Sequence, residues 1–143
     1  MIDGIIKTSL KKIFNPKGDI YQLIRNDSKG FKGFGEVYIS TIKIGEIKGW
    51  KKHNKMTMNL VVPLGEIKVV IYDDRSESCT KGFYYEEILS IDNYCRLTIP
   101  PGLWMSFKGL SKAENILINF SDICHDPNES ENIPLDVITY NWN

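Results

Sequence analysis

Two side chains in this 143-residue sequence have types and spacing suited to proton transfer, Lys51 and His53, which are separated by one residue. If the segment is a regular strand, residues two apart point to the same face, so the ammonium and the imidazole share a pocket. Lys51 then either lowers the proton affinity of His53 or acts as the base itself when desolvated. The alternative is that His53 is an exposed or hydrogen-bonded histidine within a lysine-rich run.

The segment from Gly45 to Gly65 frames these two residues with a regular spacing. Five residues follow the first glycine, then come Lys51 and His53, then Met58 five residues later, and six more residues lead to the closing glycine. Zinc and similar divalent ions bind several imidazole or carboxylate donors, which an ammonium and a thioether cannot replace. The sequence therefore predicts a pocket that binds no metal and no cofactor.

A second turn-forming segment, Pro100–Gly102, is followed after two residues by Met105. Together the two segments resemble the two motifs of the cupins, in which histidines occupy the positions of Lys51 and Met105. The backbone signals of both motifs are retained, while their metal ligands are replaced.

Composition excludes several classes of partner. Eighteen basic and eighteen acidic side chains cancel, so no net field attracts nucleic acid or an anionic membrane. The sequence begins without a cationic region followed by an apolar run, and it lacks a stretch of about twenty apolar residues, so a soluble cytoplasmic protein is expected. Three cysteines without CxxC spacing indicate reduced thiols rather than a disulfide framework.

Short segments with alternating side chains predict an all-β protein. Residues 36–44 alternate clearly, and residues 5–14 form either one turn of helix or an edge strand. The acidic run 126–132 is interpreted as a surface loop. Regular short strands with little helical periodicity indicate one antiparallel sandwich or small barrel spanning residues 1–143. Further strands are predicted at residues 58–64, 67–72, 84–89, 94–99, 116–120 and 137–140.

The segment Gly65–Gly82 carries a more specific resemblance. It contains a glycine, a strand, and then Asp73-x-Arg75 followed by serine, threonine and glycine. In this pattern the sequence resembles the dTDP-4-dehydrorhamnose 3,5-epimerase family, the sugar-nucleotide branch of the cupins. Lys48-Gly49-Trp50 and Pro101-Gly102 also fall in the order found in that family. The resemblance covers roughly residues 5–142.

The resemblance implies a cupin jelly roll that forms a homodimer and acts on a 4-keto-6-deoxy sugar nucleotide, dTDP- or UDP-linked, for lipopolysaccharide or other surface polysaccharide. In the family a histidine base removes a proton next to the ketone, a cation stabilises the enolate, and a tyrosine returns a proton. By position, the base falls on Lys51, the neighbouring arginine on Lys48 and the enolate-stabilising lysine on Met58. The tyrosine falls near Cys124, and the carboxylate that orients the base corresponds to Asp136.

Two hypotheses follow. In the first, the protein is a metal-independent epimerase or isomerase in which Lys51 and His53 replace the family's catalytic pair. In the second, it is a catalytically inactive cupin that binds a sugar nucleotide or a partner enzyme. Arg75 either contacts phosphate or braces the turn at Asp73, Trp50 is expected in the core, and Cys124 is expected to line the pocket rather than to act as a nucleophile. The residues expected to contact substrate are Lys48, Met58, Arg75, Trp104, Met105 and Cys124.

Overall fold

Two antiparallel sheets of five strands each face one another in the structure, a computed structural model that describes residues 1–143. The first sheet has the strand order β1-β9-β6-β11-β4, and the second has the order β12-β5-β10-β7-β8, while β2 and β3 form a separate hairpin. The strands are β1 (Ile6–Ser9), β2 (Lys12–Ile13), β3 (Ile20–Tyr21), β4 (Glu36–Thr41), β5 (Ile47–His53), β6 (Met58–Leu64), β7 (Glu66–Tyr72), β8 (Tyr84–Ser90), β9 (Cys95–Ile99), β10 (Trp104–Gly109), β11 (Ile116–Ser121) and β12 (Ser130–Asn132). A 3₁₀ turn at Pro127–Glu129 precedes β12, and a membrane-spanning helix is absent from the fold.

The main core lies between the two sheets because alternate residues of each strand point inward. In β7, Ile67, Val69 and Ile71 are fully buried in this core, while Val70 packs on the outer face of its sheet. In β9, Arg96 lies on the outer face and is buried beneath an overlying loop. The all-β class predicted from the alternation and the jelly roll implied by the family resemblance are both confirmed.

Most predicted strands are present, with small shifts at their ends. Residues 58–64 form β6 as predicted, and residues 6–9 form the edge strand β1. The prediction of a strand at residues 137–140 is wrong, because this segment is irregular and packs across the outside of the second sheet. The surface loop predicted at residues 126–132 is also wrong, because these residues form the 3₁₀ turn and β12, which pairs with β5.

Strand β5 contains one residue more than its partner β10 at the position of Trp50. Lys51 pairs with Met105, whereas the next pair along β10 joins Ser106 to Gly49. A β-bulge of this kind switches which side chains face inward. Gly49 has a φ of +141°, and a Cβ there would lie 2.5 Å from Ser106 Oγ, so only glycine fits. Lys48 and Lys51, on the two sides of the bulge, consequently both face the space between the sheets.

The irregular segment of residues 133–143, here called the C-terminal strap, covers the outer face of the second sheet. Ile138 of the strap forms a small apolar cluster with Trp50, Val70 and Trp104 of the sheet. Trp50 is completely buried there, as expected for a core residue. The second sheet is therefore packed on both faces, by the main core inside and by the strap outside.

Candidate functional site

A cavity of about 290 Å³ opens between the two sheets. Its mouth is lined by the exposed residues Tyr38, Lys48 and Asn132, and its floor is buried and mainly apolar. The mixture of an apolar floor with a few polar groups is typical of a small-molecule site. The lining residues are Tyr38, Ser40, Lys48, Gly49, Trp50, Lys51, Met58, Leu60, Met105, Phe107, Leu117, Asn119 and Asn132.

His53 is buried beyond this lining, two residues along β5 from Lys51, and is paired with Glu129. The imidazole Nδ1 hydrogen-bonds Glu129 Oε1, and both side chains are 2% exposed. Glu129 Oε2 also accepts hydrogen bonds from the backbone N–H groups of Lys55 at 3.1 Å and Met56 at 3.2 Å. These contacts fix both the carboxylate and the ring that it orients.

The state of this pair follows from burial and hydrogen bonding. Burial lowers the pKa of His53, outweighing the opposite effect of Glu129, and the nearby charge of Lys51 lowers it further. Burial alone would raise the pKa of Glu129, but hydrogen bonds from His53, Lys55 and Met56 hold it below its usual range. At neutral pH the pair is therefore a neutral imidazole beside a carboxylate, with the proton on Nδ1.

The other ring nitrogen, Nε2 of His53, is buried without any hydrogen-bond partner. An unsatisfied buried polar atom costs about 1–3 kcal/mol, and native structures rarely retain one without a reason. With the proton held on Nδ1 by Glu129, Nε2 carries a free lone pair. A neutral imidazole in this tautomer is suited to accept a proton.

The two lysines of the cavity differ in their contacts. Lys48 Nζ donates to Ser40 Oγ at 3.1 Å and to the carbonyl oxygen of Thr41 at 2.7 Å. Lys51 lines the cavity half-buried and makes no hydrogen bond or ion pair with the protein. Its ammonium is therefore free to contact an anionic group in the cavity.

Tyr38 places a hydroxyl group at the mouth of the cavity. Asn119 Oδ1 accepts from the backbone N–H of Asn59 at 3.3 Å, which directs Nδ2 towards Tyr38 Oη at 2.9 Å. Because the amide donates to the phenol oxygen, the phenol O–H is free to donate to a ligand. Burial also raises the pKa of Tyr38, so the hydroxyl keeps its proton at neutral pH.

Sequence reasoning missed Tyr38, Asn119 and Glu129 for different reasons. Alternation in residues 36–44 placed Tyr38 on one face of a strand but did not say which face points inward. For Glu129, the sequence does contain a local signal for the 3₁₀ turn that carries it. Asp126 precedes Pro127 and caps the turn by accepting a hydrogen bond from Asn128 N. The contact of Glu129 with a histidine in another strand has no local signature.

Three of the six residues expected to contact substrate line the cavity, namely Lys48, Met58 and Met105, and the catalytic candidate Lys51 lies beside them. Asp136 does not orient a base, because it is exposed in the C-terminal strap. The orienting carboxylate belongs to Glu129 instead, and it contacts His53 rather than Lys51.

Arg75 does not line the cavity. Its guanidinium donates to Asp73 Oδ1 at 2.9 Å and Oδ2 at 2.9 Å, and to the carbonyl oxygen of Asp3 at 2.9 Å. These bonds, with others from Ser78 and Thr80, hold the pKa of Asp73 well below its usual range. Arg75 thus braces the turn, which is the second of the two roles considered for it.

Trp104 and Cys124 also lie outside the cavity. The Trp104 side chain points to the outer face of the second sheet, where Lys52 Nζ lies 4.5 Å from its ring centroid and Asp74 Oδ2 accepts from Nε1 at 2.8 Å. The expectation for Trp104 fails because it precedes Met105 and so takes the opposite face. Cys124 is exposed beyond the end of β11, where its thiol contacts the carbonyl oxygen of Gly35.

No protein-family profile matches the sequence, but individual proteins do. It is 31% identical over 147 residues to the spore coat polysaccharide biosynthesis protein SpsL of Bacillus subtilis, covering 100% of this chain and 97% of that protein. It is 31% identical over 125 residues to a probable low-salt glycan biosynthesis epimerase, Agl13, of Haloferax volcanii, covering 84% of this chain and 80% of that protein.

Solved structures agree with these sequence relationships. A dTDP sugar isomerase from Desulfovibrio desulfuricans G20 is 35% identical and superimposes with a TM-score of 0.94, covering 99% of this chain and 92% of the isomerase. Solved dTDP-4-dehydrorhamnose 3,5-epimerases share the fold at 17 to 23% identity, with TM-scores of 0.80 to 0.84.

Proposed function

Because this chain belongs to the dTDP-4-dehydrorhamnose 3,5-epimerase family, we propose that it is a metal-independent epimerase or isomerase of a 4-keto-6-deoxy sugar nucleotide used in surface polysaccharide synthesis. The named activities and pathways of SpsL, Agl13 and the dTDP sugar isomerase support this assignment. The observation that carries it is the unpartnered Nε2 of His53, which is oriented by Glu129 and lies two residues along β5 from the free ammonium of Lys51 in the cavity.

In the proposed reaction, His53 Nε2 removes the proton from a carbon next to the sugar ketone. The electron pair of the C–H bond forms the enolate, and the negative charge develops on the ketone oxygen. Lys51, which has no other partner, stabilises that oxygen. Tyr38 then donates its phenol proton to the same carbon, which forms the new C–H bond. Solvent reprotonates the phenolate, and His53 releases the removed proton to solvent, so both groups are restored.

His53 is the base in this proposal rather than Lys51, because only His53 has a carboxylate that fixes its ring and tautomer. The cavity of about 290 Å³ is at the lower end of the volumes of small-molecule sites, about 300–1,000 Å³. We therefore place the sugar inside, with the reacting carbon between His53 and the Tyr38 hydroxyl, and the nucleotide towards Lys48 and Asn132. Lys48 and Asn132 are positioned there to contact the diphosphate or the nucleotide, dTDP or UDP.

We also propose that the protein is a homodimer of the cytoplasm. Strand β4 is an edge of the first sheet and exposes Val37 and Ile39, and such an edge is suited to pair with a second copy of the chain. The location in the cytoplasm is supported separately by the three free thiols, which suit a reducing compartment. Light scattering coupled to size-exclusion chromatography should give twice the mass of the chain, and a monomer at micromolar concentration would contradict the dimer. Cell fractionation tests the location.

The first test of the activity is proton NMR of dTDP-4-keto-6-deoxyglucose incubated with the protein in heavy water. An enolate-forming enzyme exchanges the proton next to the ketone for deuterium even when no new epimer accumulates. Exchange at C3 or C5 is expected, and it should disappear in the His53→Gln variant. His125→Gln is the matched control, because it changes the other histidine of the chain, which is exposed.

Two further outcomes separate activity from binding. Full exchange in a folded variant with both Lys51 and His53 changed to alanine would overturn the catalytic assignment. A nucleotide-dependent rise in melting temperature without any exchange would instead identify a catalytically inactive member that binds a sugar nucleotide.

A further inference from the structure

The C-terminal strap has no regular secondary structure, yet several groups of the second sheet hold it in place. Tyr84 Oη donates to the carbonyl oxygen of Thr139 at 2.8 Å, and Lys108 Nζ donates to that of Trp142 at 2.7 Å. These bonds join the strap to β8 and β10. The strap is therefore attached along its length rather than lying loosely on the surface.

Trp50 connects the strap to the wall of the cavity. Its ring is completely buried, and the ring of Trp142 packs on it with a centroid distance of 6.2 Å. Its backbone exchanges two hydrogen bonds with Ile133, at 3.2 Å and 3.1 Å, and its Nε1 donates to the carbonyl oxygen of Leu135 at 3.4 Å. Trp50 lines the cavity beside Lys51, so the strap contacts the other side of that wall.

The strap also continues directly from β12, the strand that follows Glu129. Strand β12 has three residues and lies at the edge of the second sheet, with Ser130 opposite His53 and Asn132 opposite Lys51. So short an edge strand is weakly held by its own hydrogen bonds. Its far end is secured by the strap, beginning with the two bonds between Ile133 and Trp50.

We propose that the C-terminal strap is a positioning element, in which packing of Trp142 on Trp50 keeps β12 docked and thereby keeps the Glu129 carboxylate on His53. Trp142 does not line the cavity, so it acts through Trp50, Ile133 and β12 rather than on the substrate. The catalytic consequence rests on the proposed function, whereas the state of the His53–Glu129 pair can be observed without substrate.

The test is an NMR titration of His53 in the Trp142→Ala variant. Release of β12 exposes His53, and relief of its burial outweighs loss of the Glu129 contact, so its pKa should rise towards the ordinary value of 6.5. The charged groups around the ring are Glu129, Lys51 and His125. Substrate exchange should fall about 10- to 100-fold, as expected for a misplaced catalytic group.

Matched variants separate positioning from general loss of stability. Trp142→Phe retains an aromatic ring and should restore most of the wild-type titration and exchange. Tyr21→Ala removes a ring that packs on Tyr94 at 5.4 Å, away from β12, and should leave the His53 titration unchanged. If Trp142→Ala does not fold, Lys108→Met removes only the ammonium bound to the Trp142 carbonyl oxygen and should cause a smaller shift in the same direction.

An unchanged His53 titration in folded Trp142→Ala would overturn the positioning role, whatever happens to activity. A shifted titration in a protein whose wild type never exchanges the substrate proton would support the strap and refute the proposed function.

Discussion

Glu129 accepts a hydrogen bond from His53 Nδ1 although the two residues are 76 positions apart in sequence, and the pair is almost completely enclosed by protein. Backbone N–H groups of Lys55 and Met56 bind the second carboxylate oxygen. Glu129 thus orients His53 and, at the same time, closes the turn between β5 and β6. Its substitution should separate these two effects.

Glu129→Gln should reduce substrate-proton exchange by about 100-fold or more while preserving the fold. The glutamine oxygen can still accept from Lys55 and Met56, but its amide donates to His53 Nδ1. The ring proton then moves to Nε2, which can no longer act as a base. Exchange rates by NMR and circular dichroism of the same sample measure the two effects.

The control for that substitution is Glu131→Gln, two residues along in β12. Glu131 is exposed and its carboxylate pairs with Lys52 at 3.2 Å on the outer face. Its loss should change exchange less than twofold, because a solvent-exposed ion pair on the outer face contributes little. Equal losses in both variants would show that net charge, rather than orientation of His53, is responsible.

Tyr38→Phe should slow the formation of product more than it slows exchange of the substrate proton. The phenol O–H is proposed to return the proton after His53 has removed one, so the first step survives its loss. Removing the hydroxyl also leaves Asn119 Nδ2 without this partner, which should lower stability by about 0.5–1.5 kcal/mol. Comparing the two rates in one NMR time course measures the effect.

A matched hydroxyl deletion is available at Tyr94, whose Oη donates to the carbonyl oxygen of Gln22 at 2.9 Å, away from the cavity. Tyr94→Phe should lose similar stability without changing the ratio of product formation to exchange. The proton-donor role of Tyr38 would be refuted if Tyr38→Phe kept the wild-type ratio.

Stability should decrease as the pH falls below about 6.5, because His53 and Glu129 both have lowered pKa values in the folded protein. Unfolded His53 takes up a proton near its ordinary value of 6.5, while folded His53 does so only at lower pH. Glu129 adds stability above its ordinary value of 4.5, which is lost as the pH falls through its folded value. One proton contributes at most about 1.4 kcal/mol per pH unit.

Urea unfolding across this range measures that dependence. His53→Gln should flatten the part of the curve that begins near 6.5. A wild-type unfolding free energy that increases on acidification would contradict a neutral, buried His53.

Arg75→Ala should lower the free energy of unfolding by about 1–3 kcal/mol without changing the affinity of the folded protein for dTDP. Loss of one partner from a fully buried pair costs about 3–5 kcal/mol, and a smaller value is expected because the Arg75 side chain is 28% exposed. Chemical denaturation measures the free energy of unfolding, and isothermal titration calorimetry measures the affinity for dTDP. Lys48→Ala, at the cavity mouth, should show the opposite pattern, with weaker binding and little loss of stability.

Alternating side chains and glycine-proline turns are local signals, so the amino-acid sequence was sufficient to predict an all-β sandwich or small barrel. The jelly roll and the family followed from the resemblance carried by Gly65–Gly82. The sequence also placed Lys51 and His53 on one face of a strand, since that relationship depends only on the two-residue repeat of β-structure. Lys48 joins Lys51 in the cavity through the bulge at Trp50, which is defined by the pairing of β5 with β10. A bulge is a property of two strands, and one strand alone does not reveal it.

Contacts between distant segments were decided by the tertiary structure. Glu129 was placed in a surface loop because its surroundings are polar, yet the pairing of β12 with β5 buries it against His53. The sequence of residues 137–140 resembled a strand, but these residues form part of the irregular C-terminal strap, which packs on the outer face of the second sheet. The sequence by itself determined which residues form the frame of the pocket. Only the tertiary structure determined which polar side chains contact one another at the pocket. Those contacts depend on the strand order, on the register of paired strands and on which face of each strand points inward.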